Sequence, residues 1–303
     1  MVFRLLPLSC GRKTPPPPLP HLGILHMSHS HSIATQSHYE GHSASSYESA
    51  YFYDSKGAYM DYLCSLVRDR LGIDESQQTR RLLDIGGGTG NFTRRLVEGA
   101  PHVQAVVVDP FLEFPSLQDD SDQQVSFIKA SAEQFTSPRT KEEWWRTSYS
   151  QVLMKEVIHH FEAKDRVRIF RVMQQELQPM DKNPKLPSLL IITRPQYDHD
   201  YPLWSEARQI WAENQPSLEA IEKELKEAGF RHTEHSIEAY SCSIAIDRWL
   251  AMIKARFWST FSDFADQELE EACQRITRDE AYRVDEKGDI HFEDRLLFIT
   301  ASN

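Results

Sequence analysis

Residues 82–93, LLDIGGGTGNFT, limit the possible folds more than any other stretch of the chain. A short apolar strand ends in an acid, Asp84. A glycine run follows at once, with Gly86, Gly88 and Gly90 in G-x-G-x-G spacing. Residues without a Cβ let the backbone take up φ > 0 and come close to a ligand. The helix that follows adds free N–H donors and the positive end of its dipole. The segment reads as the first turn of a nucleotide-cofactor fold, and two cofactor classes drop out. A dinucleotide fingerprint needs G-x-G-x-x-G, and its third glycine, counted from Gly86, would fall on Asn91. A Walker loop ends in G-K-[ST], and no such ending follows. A glycine turn that merely closes a strand stays open at this point.

The downstream strands narrow the choice. Val103–Val108 is a near-continuous apolar run, as expected of a parallel strand buried on both faces. It ends in Asp109, nineteen residues past Gly90, where an acid is placed to accept both ribose hydroxyls. A third strand, Val125–Ile128, leads into Ala130-Ser131-Ala132-Glu133. A fourth, Gln151–Met154, leads into Lys155-Glu156-Val157-Ile158-His159-His160-Phe161. In order and spacing, these four segments resemble the motifs of class I S-adenosylmethionine (SAM) methyltransferases of the small-molecule type. The resemblance implies SAM as cofactor. Gly86, Gly88 and Gly90 would pass beside its methionine part, and Asp84 and Lys155 would also belong to the cofactor site. Asp109 would hold the ribose, Pro110 and Phe111 would pack on the adenine, and Ser131 and Ala132 would meet the adenine amino edge.

Strands alternating with helices predict an α/β fold with a parallel sheet. Leu189–Thr193 is the fifth strand. Val167, Phe170, Met173 and Leu177 mark the helix before it. Leu218, Ile221 and Leu225 mark the helix after it, between a Ser217 N-cap and a Gly229 stop. The resemblance adds two strands, the last antiparallel, for which Arg231–Ser241 and Ile290–Thr300 are the candidates. The expected architecture is a Rossmann-like, seven-stranded, mostly parallel sheet with helical lid insertions. The methyltransferase domain is expected over 47–303, with cap insertions at about 194–216 and 242–283. These insertions hold Trp204, Trp211, Trp249 and Trp258, four of the six tryptophans. Each reads as ordinary core, and together they suggest a small aromatic-walled cavity. Residues 47–71 read largely as helix, with Tyr59, Leu63, Leu66 and Val67 on one stripe and Gly72 ending it. Tyr51, Phe52 and Tyr53 either pack on the sheet or face the cofactor.

Residues 1–46 form a tail, and its first 39 residues contain no acid. It carries the run Pro15–Pro18, and six of the thirteen histidines lie between His21 and His42. It reads as disordered or as a transit peptide, with Met27 an alternative translation start. The compartment is then the cytoplasm or an organelle. The four cysteines form no C-x-x-C pair, so neither a disulfide framework nor a metal site is expected. A formal charge of −11 argues against a sequence-independent grip on nucleic acid. No apolar run approaches the roughly 20 residues needed to cross a bilayer.

Methyl transfer from a sulfonium is an in-line displacement, in which the protein aligns donor and acceptor and excludes water. An amine or hydroxyl acceptor must lose a proton, and His159, His160 and Glu156 are the base candidates. For His160, capping or packing the next helix is the preferred reading. Arg194, leaving the fifth strand, is placed either to clamp an acceptor carboxylate or to form an ordinary salt bridge. Tyr53 and Trp204 are the aromatic candidates on the substrate side. An arginine clamp with aromatic walls suits a small carboxylate-bearing acceptor that becomes cationic. In this the chain is similar to algal S-methyltransferases of dimethylsulfoniopropionate synthesis, which act on 4-methylthio-2-hydroxybutyrate. N- or O-methylation of another metabolite, methylation of a protein, and a non-catalytic SAM-binding module are the alternatives.

Overall fold

The computed structural model describes residues 57–75, 78–111, 124–138, 148–178 and 186–303. The tail, Met27 and the aromatic run Tyr51, Phe52 and Tyr53 lie outside the described residues. A seven-stranded sheet has the order β3-β2-β1-β4-β5-β7-β6. Its strands are β1 (Arg80–Ile85), β2 (Val103–Val108), β3 (Val125–Ile128), β4 (Gln151–Lys155), β5 (Leu189–Thr193), β6 (His232–Ala245) and β7 (Asp289–Ser302). The first five run parallel, and β7 lies antiparallel between β5 and β6.

Side chains alternate across each central strand, and both faces are apolar. Leu82, Val107, Leu153, Leu190 and Ile192 face one side, with α1 (Ala58–Leu71), α2 (Asn91–Val97) and the segments that follow β5 and β6. Leu83, Val106, Val108, Met154 and Ile191 face the other, against α4 (Ala163–Glu176) and α6 (Leu218–Ala228). A short α3 (Ala132–Phe135) follows β3. Two-sided burial is what produces continuous apolar runs in a parallel sheet.

The helix ends follow local chemistry. Ser217 accepts the Ala220 N–H at the start of α6, and Gly229 ends it in a left-handed conformation (φ 115°). Gly72 (φ 61°) likewise ends α1. Two expectations shift. The buried stripe of α4 is Arg166, Ile169, Phe170 and Met173; Val167 is only half-buried, and Leu177 lies past the helix end, bridged to Tyr149. β6 runs on to Ala245, beyond Ser241, because Cys242 and Ile244 continue the inward alternation opposite Phe292 and Ile290.

The second insertion holds α7 (Ile246–Lys254) and α8 (Asp266–Asp279), and the first holds α5 (Ser205–Asn214). The two insertions meet in one aromatic cluster. Trp258 packs against Trp211 (centroids 5.1 Å), Trp249 (5.8 Å) and Tyr201 (4.7 Å). All four cap tryptophans are buried, so their rings fill the space between the insertions. No helix among the described residues is long and apolar enough to cross a membrane.

Gly86 (φ 76°), Gly88 (φ 56°) and Gly90 (φ 75°) turn the chain from β1 into α2. A Cβ on Gly86 would sit 2.4 Å from the Val157 Cγ2 that follows β4, whereas a Cβ on Gly88 would meet open space. Gly88→Ala should therefore cost only the left-handed backbone, about 1–2 kcal/mol, while Gly86→Ala adds a collision with a stiff branched side chain. Thermal melts of the two variants should show the larger loss at Gly86. Equal losses would mean that Val157 does not constrain the turn.

Candidate active site

The C-terminal ends of β1, β2 and β4 converge on the glycine turn, the position at which open α/β sheets bind ligands. Asp84, at the end of β1, is buried and accepts a hydrogen bond from the Thr93 hydroxyl on α2. A Cβ on Gly87 would lie 2.4 Å from its Oδ2, so the acid braces the turn from beneath. Burial pushes its carboxyl up to about 6, against the pull of the Thr93 bond and of Lys155. Asp109, at the end of β2, accepts the Gly88 N–H (3.1 Å) and the Phe111 N–H (2.8 Å). It too is raised by burial, these bonds opposing the shift. Its carboxylate thus reaches the turn, with Pro110 beside it.

Lys155 ends β4 with its ammonium 5.2 Å from the centroid of the Phe92 ring. Ser131 caps α3: it accepts from Gln134 N (3.2 Å), and the Gln134 side chain accepts from Ser131 N (2.9 Å). Ala132 is buried behind it. His159 and His160 sit in a 3₁₀ turn over Ile158–His160, with ring centroids 4.0 Å apart.

A buried charge network lies where β4 and β5 end. Glu156 holds a left-handed backbone (φ 55°), and its N–H bonds the Ile192 carbonyl (2.7 Å). Its carboxylate is ion-paired with Arg194 Nη1. The rest of the Arg194 fork is engaged as well. Nε donates to the Tyr201 hydroxyl (2.5 Å) and to Asp294 Oδ1 (3.2 Å), and Nη2 donates to Asp294 Oδ2 (3.3 Å). Tyr59, from α1, donates to Asp294 Oδ2 (2.6 Å), and the Tyr201 hydroxyl donates to Oδ1. The guanidinium lies 5.8 Å from the ring centroids of both Tyr201 and Trp258.

Two groups of the sequence-predicted residues come together. Asp84, the glycines, Asp109 and Lys155 surround the turn, and Glu156 joins Arg194 in the ion network. Trp204 packs within the cap, against Phe261 (5.6 Å) and Phe264 (5.0 Å), and the ring beside Arg194 is Trp258. Tyr59, Tyr201 and Asp294 were not anticipated at the site, and Trp258 was anticipated only as one of the four cap tryptophans. One signal was available: Asp294 occupies an inward position of β7 in register with Ile290, Phe292 and Leu296, and a buried acid among apolar neighbours requires partners.

Residues 83–180 match the model of a methyltransferase domain family. The chain carries a SAM-dependent methyltransferase domain. SAM is its cofactor, and the glycine turn and Asp109 carboxylate described above suit it: the turn closes tightly without Cβ atoms, and the buried acid is available to hydroxyl donors. Among solved structures, this methyltransferase is similar to a protein described as a methyltransferase from an antibiotic biosynthesis pathway of Anabaena variabilis. The two are 16% identical with a TM-score of 0.50, over 79% of this chain and 96% of that one. It is also similar to a protein described as a sarcosine dimethylglycine methyltransferase from Galdieria sulphuraria, at 15% identity and TM-score 0.44, over 80% and 85% of the two chains. A third is phosphoethanolamine N-methyltransferase 2 from Haemonchus contortus, at 17% identity and TM-score 0.43, over 78% and 52%. No curated protein matches the chain.

Two buried groups give the methyltransferase opposing pH dependences. His199 packs against Tyr201 and Trp211. Burial, with the charge of Arg208, lowers it from 6.5 to about 4. The unfolded chain binds this proton first, so stability is lost as pH falls from 6.5 towards 4. Asp84 is raised, and its contribution is full below pH 3.8 and is lost as pH rises through 6. Relative to wild type, His199→Leu should gain stability as pH drops from 6.5 to 4, and Asp84→Asn should gain as pH rises from 4 to 6. Melting curves without SAM test both, and parallel pH profiles for variant and wild type would contradict the assignments.

Proposed function

We propose that the enzyme transfers the SAM methyl group to a small acceptor through a neutral sulfur or nitrogen, with a thioether acid such as 4-methylthio-2-hydroxybutyrate as the first candidate. In this displacement the sulfonium–methyl bond breaks as the acceptor–methyl bond forms. The electron pair returns to the cofactor sulfur, and the positive charge passes to the acceptor. The observation that carries the reading is the network at the ends of β4 and β5. Two carboxylates, Glu156 and Asp294, flank one guanidinium, Arg194, and the rings of Tyr201 and Trp258 lie beside it. Surplus negative charge and aromatic faces favour a developing cation. A thioether acceptor needs no base. An amine acceptor would give up a proton, to His159 or Glu156.

Nε and Nη2 of Arg194 are turned to Asp294 and Nη1 to Glu156, so an acceptor carboxylate would share Nη1 with Glu156 or exchange with it. A panel of thioethers, amines and hydroxyl compounds, each acid paired with its amide, tests the proposal with radiolabelled SAM. Turnover should be confined to sulfur or nitrogen acceptors. If the exchange occurs, acid and amide should differ about tenfold or more in kcat/KM, the size expected for a lost charged hydrogen bond. Transfer to oxygen alone, labelling of protein alone, or SAM binding without any turnover would overturn it.

A further inference from the structure

We propose that Asp294 is the positioning residue of the acceptor site: it fixes Arg194, which in turn holds the Glu156 carboxylate at the end of β4. The inference rests on the reading of the β4–β5 network as the acceptor's floor.

Asp294 has no exposed surface, and its two oxygens accept four hydrogen bonds, from Tyr59, Tyr201 and two Arg194 nitrogens. Four donors fill a carboxylate's capacity. Such an acid does little for the core, since a buried ion pair is often replaced by apolar residues at no cost in stability. What it supplies is direction. With both oxygens saturated, the planar fork has one orientation, and in that orientation Nη1 points to Glu156.

Glu156 needs such a hold. Its backbone lies in the left-handed region, at φ 55°, where a residue with a Cβ persists only if its surroundings over-determine it. Two contacts do so: the backbone bond to Ile192 and the ion pair to Arg194. Charge completes the argument. Asp294 neutralises Arg194, so the carboxylate of Glu156 is the surplus charge of the cluster. Without Asp294, the guanidinium would be left to pair with Glu156 alone, and that surplus would vanish. The chain thereby ties acceptor preference to a residue of its last strand and, through the Tyr59 hydroxyl, to its first described helix.

The test uses the full chain loaded with SAM, with variants Asp294→Asn, Tyr59→Phe and Tyr201→Phe. The first readout needs no acceptor: the Arg194 Nε–H resonance, assigned by its loss in Arg194→Lys. In wild type this proton should exchange slowly, and in Asp294→Asn and Tyr59→Phe it should exchange fast. The second readout is kinetic. Acceptor KM should rise about tenfold in Asp294→Asn and less in Tyr59→Phe, while SAM affinity stays within about threefold. An unchanged Arg194 resonance would overturn the proposal, as would acceptor KM and SAM affinity that move together or not at all. Should Asp294→Asn fail to fold, the two tyrosine variants decide, since each removes a single hydroxyl. Should no acceptor turn over, the proposed chemistry fails, and the resonance still decides the positioning role.

Discussion

Arg194 is buried between Asp294 and Glu156, and an ionised guanidinium in that position tolerates no missing partner. Removing one member of a buried pair leaves an uncompensated charge, at a cost of about 3–5 kcal/mol. The pair itself adds little net stability, so its consequence is geometric. Residues from α1, the turn after β4, the β5 end, the following segment and β7 must all arrive for the charges to be satisfied. The aromatic cap then excludes water from the network. Trp258 lies against Tyr201 on one side and Trp211 and Trp249 on others. Low polarity there strengthens each hydrogen bond and raises the penalty for any that is absent.

The cofactor side obeys a different constraint, which is steric. Asp84 beneath the turn and Val157 beside it leave no volume for side chains at Gly87 and Gly86. Val157 directly follows Glu156, so one short segment after β4 shapes both halves of the site. The glycine turn packs on it from one side, and the ion network holds it from the other. Parallel strands make this convergence possible, because they bring the ends of β1, β2, β4 and β5 to the same edge of the sheet.

Strands with two buried faces were legible in the sequence. Val103–Val108 and Leu189–Thr193 are uninterrupted or nearly so in apolar character, and their observed limits coincide with those runs; Val125–Ile128, also read at its observed limits, is the edge strand and is buried only at Val125. The glycine turn was legible because few residues accept φ > 0. The end of β6 was harder to read. Only Ser241 and Ser243 alternate as exposed polar residues with Cys242 and Ile244, so this short alternation blends into the helical pattern of Ile246 and Trp249. The stripe of α4 was misplaced because Arg166 occupies a buried position, paired with Glu224 at 2.7 Å, where pattern reading expects an apolar residue. The network was the least legible part. Tyr59 and Asp294 are 235 residues apart, and no local spacing encodes their contact. Which tryptophan of the cap would stand beside Arg194 depends on how two separate insertions pack, and composition alone does not distinguish Trp204 from Trp258.

A crystal structure with S-adenosylhomocysteine tests the account most directly. The ribose hydroxyls should fall on Asp109, and the amino-acid end should follow the turn from Gly86 to Gly90. The thioether sulfur should face the Glu156–Arg194–Asp294 network across a space sized for a small acceptor. A cofactor bound with its sulfur turned away from Glu156, or separated from the network by side chains that leave no path for a methyl group, would contradict the assignment of that network as the acceptor's floor.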